Sequence, residues 1–319
     1  MRVRRLHQGV LALAAAGALA AAGASEIAAT AQAPLDQTPA ATAAAAEAPS
    51  RARRGGVIWA GDAEAPFSRE WASGTAYDVN RGDATSTLED DWASTTRVKR
   101  VSSPVAQGGS AYAVTVRAGD RDHYSSSSQR TEIGQSNERE FPDGVVRQMK
   151  QGQERWIALQ IRVPSGFPEP DWTVLVQLKG AGDGNGPFSV NWEDGRVLLQ
   201  KSQSQRYGST DINPVWTPAA RSPHDRWLKL LLHVRWSTGP DGYYELFGAV
   251  GDGEGFRRLT PRRDGLTLKR ASEGGPVNVG ARVGIYRSRI AKDATAYFDG
   301  FNVARTRAAA TRRAFGKKR

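Results

Sequence analysis

Residues 56–304 contain short runs in which apolar and polar side chains alternate, separated by clusters rich in glycine, proline and aspartate. Successive side chains of a β-strand point to opposite faces, so a period of two predicts strands. No segment has a convincing 3.6-residue period, although 143–153 could hold one turn of helix. Eleven runs fit a strand: 56–61, 110–119, 128–135, 155–164, 173–180, 187–194, 196–203, 227–237, 242–251, 281–288 and 294–305. The pattern predicts an all-β fold, a concanavalin-like β-sandwich (jelly roll) of two antiparallel sheets, with a concave groove on the outer face of one sheet.

The two ends of the chain differ in composition from this region. Residues 1–24 have a basic start, an Ala- and Leu-rich apolar run and small residues at the end, the pattern of a cleaved signal peptide. Residues 25–55 are mostly Ala, Thr, Pro, Glu and Gln and predict a flexible linker, because they cannot bury enough apolar surface to offset the entropy of ordering. Residues 305–319, with seven basic and no acidic side chains, predict a basic disordered tail. We therefore expect one folded domain at 56–304, in a protein that is secreted, extracellular or in the cell envelope, without a stable membrane span.

The formal net charge of +11 comes almost entirely from these ends. Removing their 13 basic and 3 acidic residues from the totals of 44 and 33 leaves 31 basic and 30 acidic residues in the folded part. A nucleic-acid-binding domain needs a basic face of its own, so no nucleic-acid partner is expected. We expect a monomer.

No cofactor or metal is expected. The chain has no cysteine, which excludes disulfides, thiolate metal sites and a cysteine nucleophile. The stretch GAGDGNGP contains Asp183 and Asn185 and resembles a fragment of a calcium loop, but a glycine-rich turn needs no metal.

The strand TVLVQLK (173–179) has an unusual polar face. Strict alternation assigns three aliphatic residues to one face, namely Val174, Val176 and Leu178. Leu175, Gln177 and Lys179 then share the other face, which is either solvated or the floor of a groove. In the strand QRTEI, Arg130 and Glu132 likewise share a face.

A third strand, ARVGIYRS, places Arg282, Gly284 and Tyr286 on one face, and the small Gly284 leaves room for a ligand above it. If these three strands are neighbours, their polar side chains converge: Arg130, Gln177, Lys179, Arg282 and Tyr286. Cations, an amide and a phenol suit a sugar acid.

Three segments carry a family resemblance: RTEI at 130–133, QLK at 177–179 and RVGIY at 282–286. In order and spacing they are similar to the R-[ST]-E-[LI], Q-[IVL]-H and K-x-G-x-Y motifs of the jelly-roll polysaccharide lyases, which include alginate lyases and heparin lyase I-like enzymes. The resemblance covers most of residues 56–304. The heparin lyase I-like branch is nearest, because VGIYRS and FDGFNVA are most like its closing strands. Two positions depart from the motifs, since Lys179 replaces the histidine and Arg282 replaces the lysine.

The resemblance implies β-elimination on a uronic-acid unit of an acidic polysaccharide substrate. It assigns Arg130 and Gln177 to the sugar carboxylate, where charge and hydrogen bonds strengthen as the enolate-like anion develops. It makes Tyr286 the acid, or acid and base together. A tyrosine, with an ordinary pKa of about 10, needs nearby cations such as Arg282 before its anion forms at neutral pH. Lys179 is either a base itself or a second ligand of the carboxylate.

Further substrate contacts are predicted for four residues: Arg282, Asn191, Glu132 and His123. Asn191 qualifies because it alternates with two apolar residues, and His123 because it precedes the arginine strand. Structural roles are the alternative: Tyr286 as a packed strand tyrosine, and Arg130 paired with Glu132. His224 and His233 are expected to be structural.

Two other functions compete with a lyase. A glycoside hydrolase needs two carboxylates flanking the scissile bond, and no predicted strand contains an E-x-D or D-x-E pair. A non-catalytic, lectin-like carbohydrate-binding module remains the alternative, because Lys179 in place of the histidine could mark a lost activity. The sequence leaves open whether the polymer is glucuronan, alginate, heparin-like or another.

Overall fold

The computed structural model describes residues 56–71, 73–77, 84–85, 97–120, 125, 127–135, 149–180, 185–204, 206, 210–250, 256–271 and 274–316. The predicted signal peptide (1–24) and the whole of the predicted linker (25–55) lie outside these residues, as does most of the proposed helical turn (143–153). The described strands and helices are β1 Val57–Ala60, α1 Phe67–Glu70, β2 Ser73–Tyr77, β3 Ala84–Thr85, β4 Val98–Val101, β5 Ala111–Val116, β6 Ser128–Gly134, β7 Glu154–Arg162, β8 Thr173–Lys179, β9 Phe188–Glu193, β10 Arg196–Ser202, β11 Ile212–Trp216, β12 Trp227–Arg235, β13 Tyr243–Val250, β14 Arg257–Asp264, β15 Gly280–Ser288, β16 Ala294–Ala304 and α2 Arg307–Phe315.

These strands form two antiparallel sheets of a jelly-roll sandwich. The first sheet has the order β14-β13-β12-β7-β16-β5-β4, with β1 also paired to β16, and the second has the order β11-β10-β9-β8-β15-β6-β2-β3. All eleven predicted strands are present, within a few residues at each end. Four of the five unpredicted strands, β3, β4, β11 and β14, lie at sheet edges. An edge strand tolerates charge and proline, so its sequence lacks the alternation of a half-buried strand.

The core lies between the two sheets and contains the inward-facing side chains of both. Its largest members include four almost completely buried tryptophans, Trp59, Trp71, Trp192 and Trp236. From the second sheet, Ile133 of β6, Val190 of β9, and Val283 and Ile285 of β15 face this core. Their neighbours along each strand must therefore face outward, which sets the composition of the outer face of the second sheet.

A β-bulge interrupts the alternation predicted for TVLVQLK. Between Val174 and Val176, β8 has one more residue than its partner β9, so Leu175 and Val176 both enter the core. Val174 is half-buried and stays out of the core cluster. The predicted faces of Val174 and Leu175 are wrong for this reason, whereas Gln177 and Lys179 keep the outer face.

The prediction of a disordered tail at 305–319 is also wrong, because Arg307–Phe315 forms α2. The Thr306 hydroxyl caps the helix by accepting a hydrogen bond from the Ala309 N–H at 3.2 Å. Small side chains then pack the helix on the outer face of the first sheet: Ala309, Ala310 and Ala314 against Leu231 and Phe247. Alanine carries a weak apolar signal beside arginines, which is why the sequence pattern does not reveal the 3.6-residue period.

An ion pair fixes α2 to the start of the domain. The Arg313 guanidinium contacts both oxygens of Asp62, at 2.5 and 2.9 Å, and the Asp62 side chain is completely buried. Burial raises the pKa of Asp62, and Arg313 opposes this rise. With nine residues, α2 is the longer described helix, and none of the helices in the described part has the length and apolarity to span a bilayer.

Candidate functional site

Strand register brings the three motif segments together on the outer face of the second sheet. β15 lies between β8 and β6, so the order of the three strands is β8-β15-β6. Tyr286 is the register partner of Arg130 on one side, and Arg282 is the partner of Gln177 on the other. Gly284, between them, is the partner of Glu132.

Four of these side chains contact one another, and we call them the Arg130–Tyr286 cluster: Arg130, Glu132, Gln177 and Tyr286. The Gln177 amide donates to Glu132 Oε1 at 2.6 Å, and Arg130 Nε lies 3.5 Å from Glu132 Oε2. The Arg130 guanidinium lies over the Tyr286 ring, 3.8 Å from its centroid, in a cation–π contact. The Trp172 ring meets Tyr286 edge-on, with 4.8 Å between the ring centroids.

The cluster is buried, although it lies on an outer face. Arg130 is 8% exposed, Glu132 2% and Gln177 7%, while Tyr286 is half-buried. A solvated sheet face would leave such long polar side chains largely in water. Burial of two charged groups and an amide is costly unless they are paired, and Glu132 supplies that pairing by accepting from Gln177 and lying beside Arg130.

Arg282 and Lys179 are half-buried on the same outer face but lie progressively farther from Tyr286. Lys179 is the register partner of Gly280, while Tyr286 is the partner of Val174. The intervening five-residue stretch of β8 spans roughly 15 Å of strand. Arg282 lies between the two, opposite Gln177.

Gly284 has a backbone reason for lacking a side chain. Its φ is +153°, and a Cβ there would lie 2.1 Å from the Thr131 carbonyl oxygen and 2.6 Å from the Glu132 Cα. The close approach of β15 and β6 therefore requires glycine. The sequence analysis explained Gly284 by the room it leaves for a ligand. The close contact between the two strands is a second reason, which the sequence does not show.

A second polar group, which we call the amide patch, lies on the same face across β9 and β10: Ser189, Asn191, Glu193 and Gln200. Asn191 donates to Gln200 Oε1 at 3.0 Å, and Gln200 donates to Glu193 Oε1 at 2.8 Å. Burial raises the pKa of Glu193, and hydrogen bonds from Asn191 and Gln200 act against the rise. Asn191 thus faces outward, as its alternation with Val190 and Trp192 predicts.

Sequence reasoning did not find Trp172, Glu193 or Gln200 as neighbours of the site. Trp172 immediately precedes β8, and nothing in the pattern separates it from a core tryptophan. Glu193 and Gln200 alternate with core residues as Asn191 does, so the same pattern predicts that they face outward.

The structure describes two of the three histidines for which the sequence analysis predicted a role. His123 lies outside the described residues, as does Asp183 of the glycine-rich stretch. His224 Nδ1 lies 3.0 Å from the Pro164 carbonyl oxygen. His233 lies on the outer face of the first sheet, with its ring nitrogens 2.8 Å from Glu245 and 2.6 Å from Glu154. Both described histidines thus have structural partners.

No group of three or more metal-ligating side chains occurs among the residues that the structure describes. Asn185, the described polar residue of the calcium-like stretch, donates instead to the Thr210 carbonyl at 2.9 Å.

Comparison with known proteins gives a family and a fold. A family model described as "Polysaccharide lyase" matches residues 71–302. No curated protein sequence gives a significant match. Among solved structures, the endo-β-1,4-glucuronan lyase from the fungus Trichoderma reesei has a TM-score of 0.50 and 15% identity, covering 75% of this chain and 98% of its own.

Two further structures are less similar. The catalytic domain of a glycoside hydrolase family 131 protein from Coprinopsis cinerea has a TM-score of 0.48 and 11% identity, covering 79% of this chain and 96% of its own. The PL-14 alginate lyase from Aplysia kurodai has a TM-score of 0.47 and 12% identity, covering 74% and 99%. At these identities the likeness extends to the fold alone.

Proposed function

This chain belongs to the polysaccharide lyase family, and we propose that it cleaves a uronic-acid-containing polysaccharide by β-elimination on the outer face of the second sheet. The observation that carries the proposal is the mutual contact of four polar side chains from three neighbouring strands of that face. We propose that this face is the concave substrate groove expected from the sequence.

In this proposal Arg130 and Gln177 bind the uronate carboxylate. An amide nitrogen has two hydrogens, and Gln177 uses one for Glu132, so one remains for the substrate. Glu132 is then a positioning residue, because it orients both donors without touching the sugar. Neutralising the carboxylate lowers the barrier to removing the C5 proton, since negative charge moves onto the carboxylate as that proton leaves.

Tyr286 carries the proton transfers. A base takes the C5 proton, the electron pair forms the C4–C5 double bond, and O4 leaves with its bonding pair and takes a proton from an acid. The Arg130 guanidinium lies over the Tyr286 ring, and in this proposal the Tyr286 oxygen takes the C5 proton and then gives a proton to O4. We favour Tyr286 over Lys179 for both steps because Tyr286 is the register partner of Arg130 and contacts it, whereas Lys179 lies about 15 Å farther along the sheet. We assign Lys179 and Arg282 to holding carboxylates along the chain.

The test uses the full chain, because α2 packs on the first sheet and a protein truncated at residue 304 would lack it. We would incubate it with glucuronan, alginate, hyaluronan and heparin and follow the ultraviolet absorbance of the new double bond conjugated to the carboxylate. Tyr286→Phe removes the phenol that moves protons, and we expect a loss of about 10²- to 10⁴-fold in kcat. Tyr243→Phe, on the outer face of the first sheet, is the matched control and should keep its activity.

Each outcome has a meaning. Absorbance with one polymer identifies the substrate, and heparin alone would favour the heparin lyase I-like branch. Binding without absorbance on all four polymers would contradict the lyase and favour the non-catalytic carbohydrate-binding module. Equal activity of Tyr286→Phe and wild type would contradict the assignment of Tyr286.

We also propose that the protein is exported, with residues 1–24 as the signal peptide. A polymer too large to enter a cell has to be cleaved outside it. Mass spectrometry of the protein from culture medium should show a new N-terminus near residue 25, and retention of the intact N-terminus inside the cell would contradict export.

A further inference from the structure

Tyr286 has only small neighbours on its own face of β15. The residues two positions before and after it share the outer face of the sheet, and these are Gly284 and Ser288. A glycine and a serine give a phenol ring little to pack against along the strand. The orientation of the ring therefore depends on side chains from the neighbouring strands, because a side chain without contacts can change its χ1 rotamer.

The side of the ring toward Gly284 is bounded by the cluster itself. Glu132 is the register partner of Gly284, and its carboxylate accepts the hydrogen bond from Gln177, on the strand at the other side of β15. The two side chains therefore meet across β15 beside Gly284. The Arg130 guanidinium covers a face of the Tyr286 ring, 3.8 Å from its centroid. These contacts leave the side toward Ser288 to be filled.

Trp172 occupies that side. The Trp172 carbonyl accepts a hydrogen bond from the Ser288 N–H at 3.1 Å, and the Asp171 N–H donates to the Ser288 hydroxyl at 3.0 Å. These two bonds fix the start of β8 to β15, two residues beyond Tyr286. The Trp172 ring then meets the Tyr286 ring at 75°, with 4.8 Å between the centroids, an edge-to-face contact that is favourable for aromatic pairs.

The proposed reaction makes the position of the Tyr286 oxygen critical. That oxygen takes a proton from C5 and gives one to O4, so it has to stay within hydrogen-bond reach of both atoms while Arg130 and Gln177 hold the carboxylate. A misplacement of about 1 Å can lower a rate about 10²-fold. A change of the χ1 rotamer moves the end of a tyrosine side chain farther than that.

We infer that Trp172 is a positioning residue that holds the Tyr286 ring in the orientation required for proton transfer. This inference rests on the proposed lyase function and deepens it. Trp172 itself moves no proton. A half-buried tryptophan beside a groove has another common use, as a platform on which a sugar ring stacks. Loss of a platform would raise KM, whereas loss of a positioning contact lowers kcat.

Trp172→Ala tests the inference on the polymer that the wild type cleaves. We expect kcat to fall about 10- to 10²-fold with KM unchanged. Trp172→Phe keeps an aromatic ring beside Tyr286 and should recover most of kcat. In the Tyr286→Phe background, Trp172→Ala should cause no further loss, because no phenol is left to position.

Trp216→Ala is the matched control. Trp216 is also half-buried, but it lies on the edge strand β11 of the same sheet, so kcat should be retained. Unfolding curves show which variants are folded at the assay temperature. Trp172→Leu, which fills part of the volume without an aromatic edge, replaces Trp172→Ala if that variant fails to fold.

The outcomes separate this inference from the proposed function. A loss of kcat in Trp172→Ala that is repeated in the Tyr286→Phe background, or a higher KM with unchanged kcat, would overturn the inference and leave the lyase standing. Absence of absorbance with all four polymers would contradict the lyase. A crystal structure of Trp172→Ala then decides the role of Trp172: a displaced or doubly oriented Tyr286 ring supports it, and an unchanged ring overturns it.

Discussion

Both sheets carry ionisable side chains on their outer faces, but the two faces use them differently. On the first sheet, both His233 ring nitrogens face carboxylates, the ring stacks on Trp156 at 3.7 Å, and Arg258 lies 3.3 Å from Glu245. On the second sheet, Asn191 Oδ1 and Ser189 Oγ have no partners within the described chain. Buried oxygens without partners also occur on the first sheet, at Gln160 Oε1 and Asn302 Oδ1, but both of these amides donate to carbonyls of α2. The two faces therefore differ in that the unpartnered oxygens of the first sheet belong to side chains that hold a helix in place.

The largest expected contrast is between two arginines that lie over aromatic rings. Arg130→Ala should lower kcat/KM by about 10²- to 10³-fold, because a donor aimed at developing charge is lost. Arg258→Ala, on the first sheet over Phe247, should leave kcat/KM unchanged. Initial rates on the polymer identified above provide the measurement. Comparable losses of kcat/KM in both variants would show that the two outer faces do not differ in their importance for catalysis.

The first sheet should respond in stability instead. Arg313→Ala leaves the buried Asp62 carboxylate without its partner and should lower the free energy of unfolding by about 3 kcal/mol. Urea unfolding measures the loss, and activity at low temperature should be retained. Asp62→Asn combined with Arg313→Ala should recover part of it, since no buried charge remains. A strong loss of kcat in Arg313→Ala, with an unchanged free energy of unfolding, would contradict the assignment of a structural role to the first sheet.

The pH dependence of stability should also arise away from the proposed site. Burial raises the pKa of Glu70 from 4.5 to about 7, against hydrogen bonds from Ala65, Ala63 and Tyr112. A carboxyl with a raised folded-state pKa binds more protons when folded, so its contribution to stability is full below about pH 4.5 and is lost as the pH rises to 7. We expect a fall of about 2 kcal/mol between about pH 5 and 7 from this group.

Glu70→Gln cannot titrate and should flatten that part of the curve, whatever its effect on absolute stability. Asp299, whose pKa burial raises to about 7, should keep a residual slope in the variant. Unfolding free energies measured at several pH values provide the comparison. An unchanged slope would show that Glu70 does not titrate in this range.

The smallest expected effect concerns the group that orders the site. Glu132→Gln keeps the shape of Glu132 but weakens its hold on Arg130 and Gln177, and we expect kcat/KM to fall about tenfold. Because Glu132 is assigned no proton transfer, the pH optimum should stay where it is. A shifted pH–rate profile would instead make Glu132 a participant in the chemistry.

The sequence predicted the features that follow from side-chain alternation along a strand. It missed the features that depend on contacts with other parts of the chain. Arg130, Gln177 and Tyr286 lie on strands whose alternation is intact near them, so their common face follows once the strands are adjacent. The bulge at Leu175 does not follow from the sequence, because an extra residue in β8 is recognised only from its pairing with β9. The α2 helix was missed because its alanines pack on an existing surface rather than forming a core of their own. Trp172 was missed because its importance lies in its contact with Tyr286.

The pairing of the first and last parts of the domain sets an order of events during synthesis. β1 lies along β16, the Arg305 N–H donates to the Gly56 carbonyl at 2.8 Å, and α2 reaches back to Asp62. A ribosome makes Asp62 some 250 residues before Arg313, so the sandwich cannot close until almost the whole chain has emerged. The two sheets therefore remain incomplete during translation. In the export proposed above, a secretion machinery that threads extended polypeptides would meet the chain before its fold is complete.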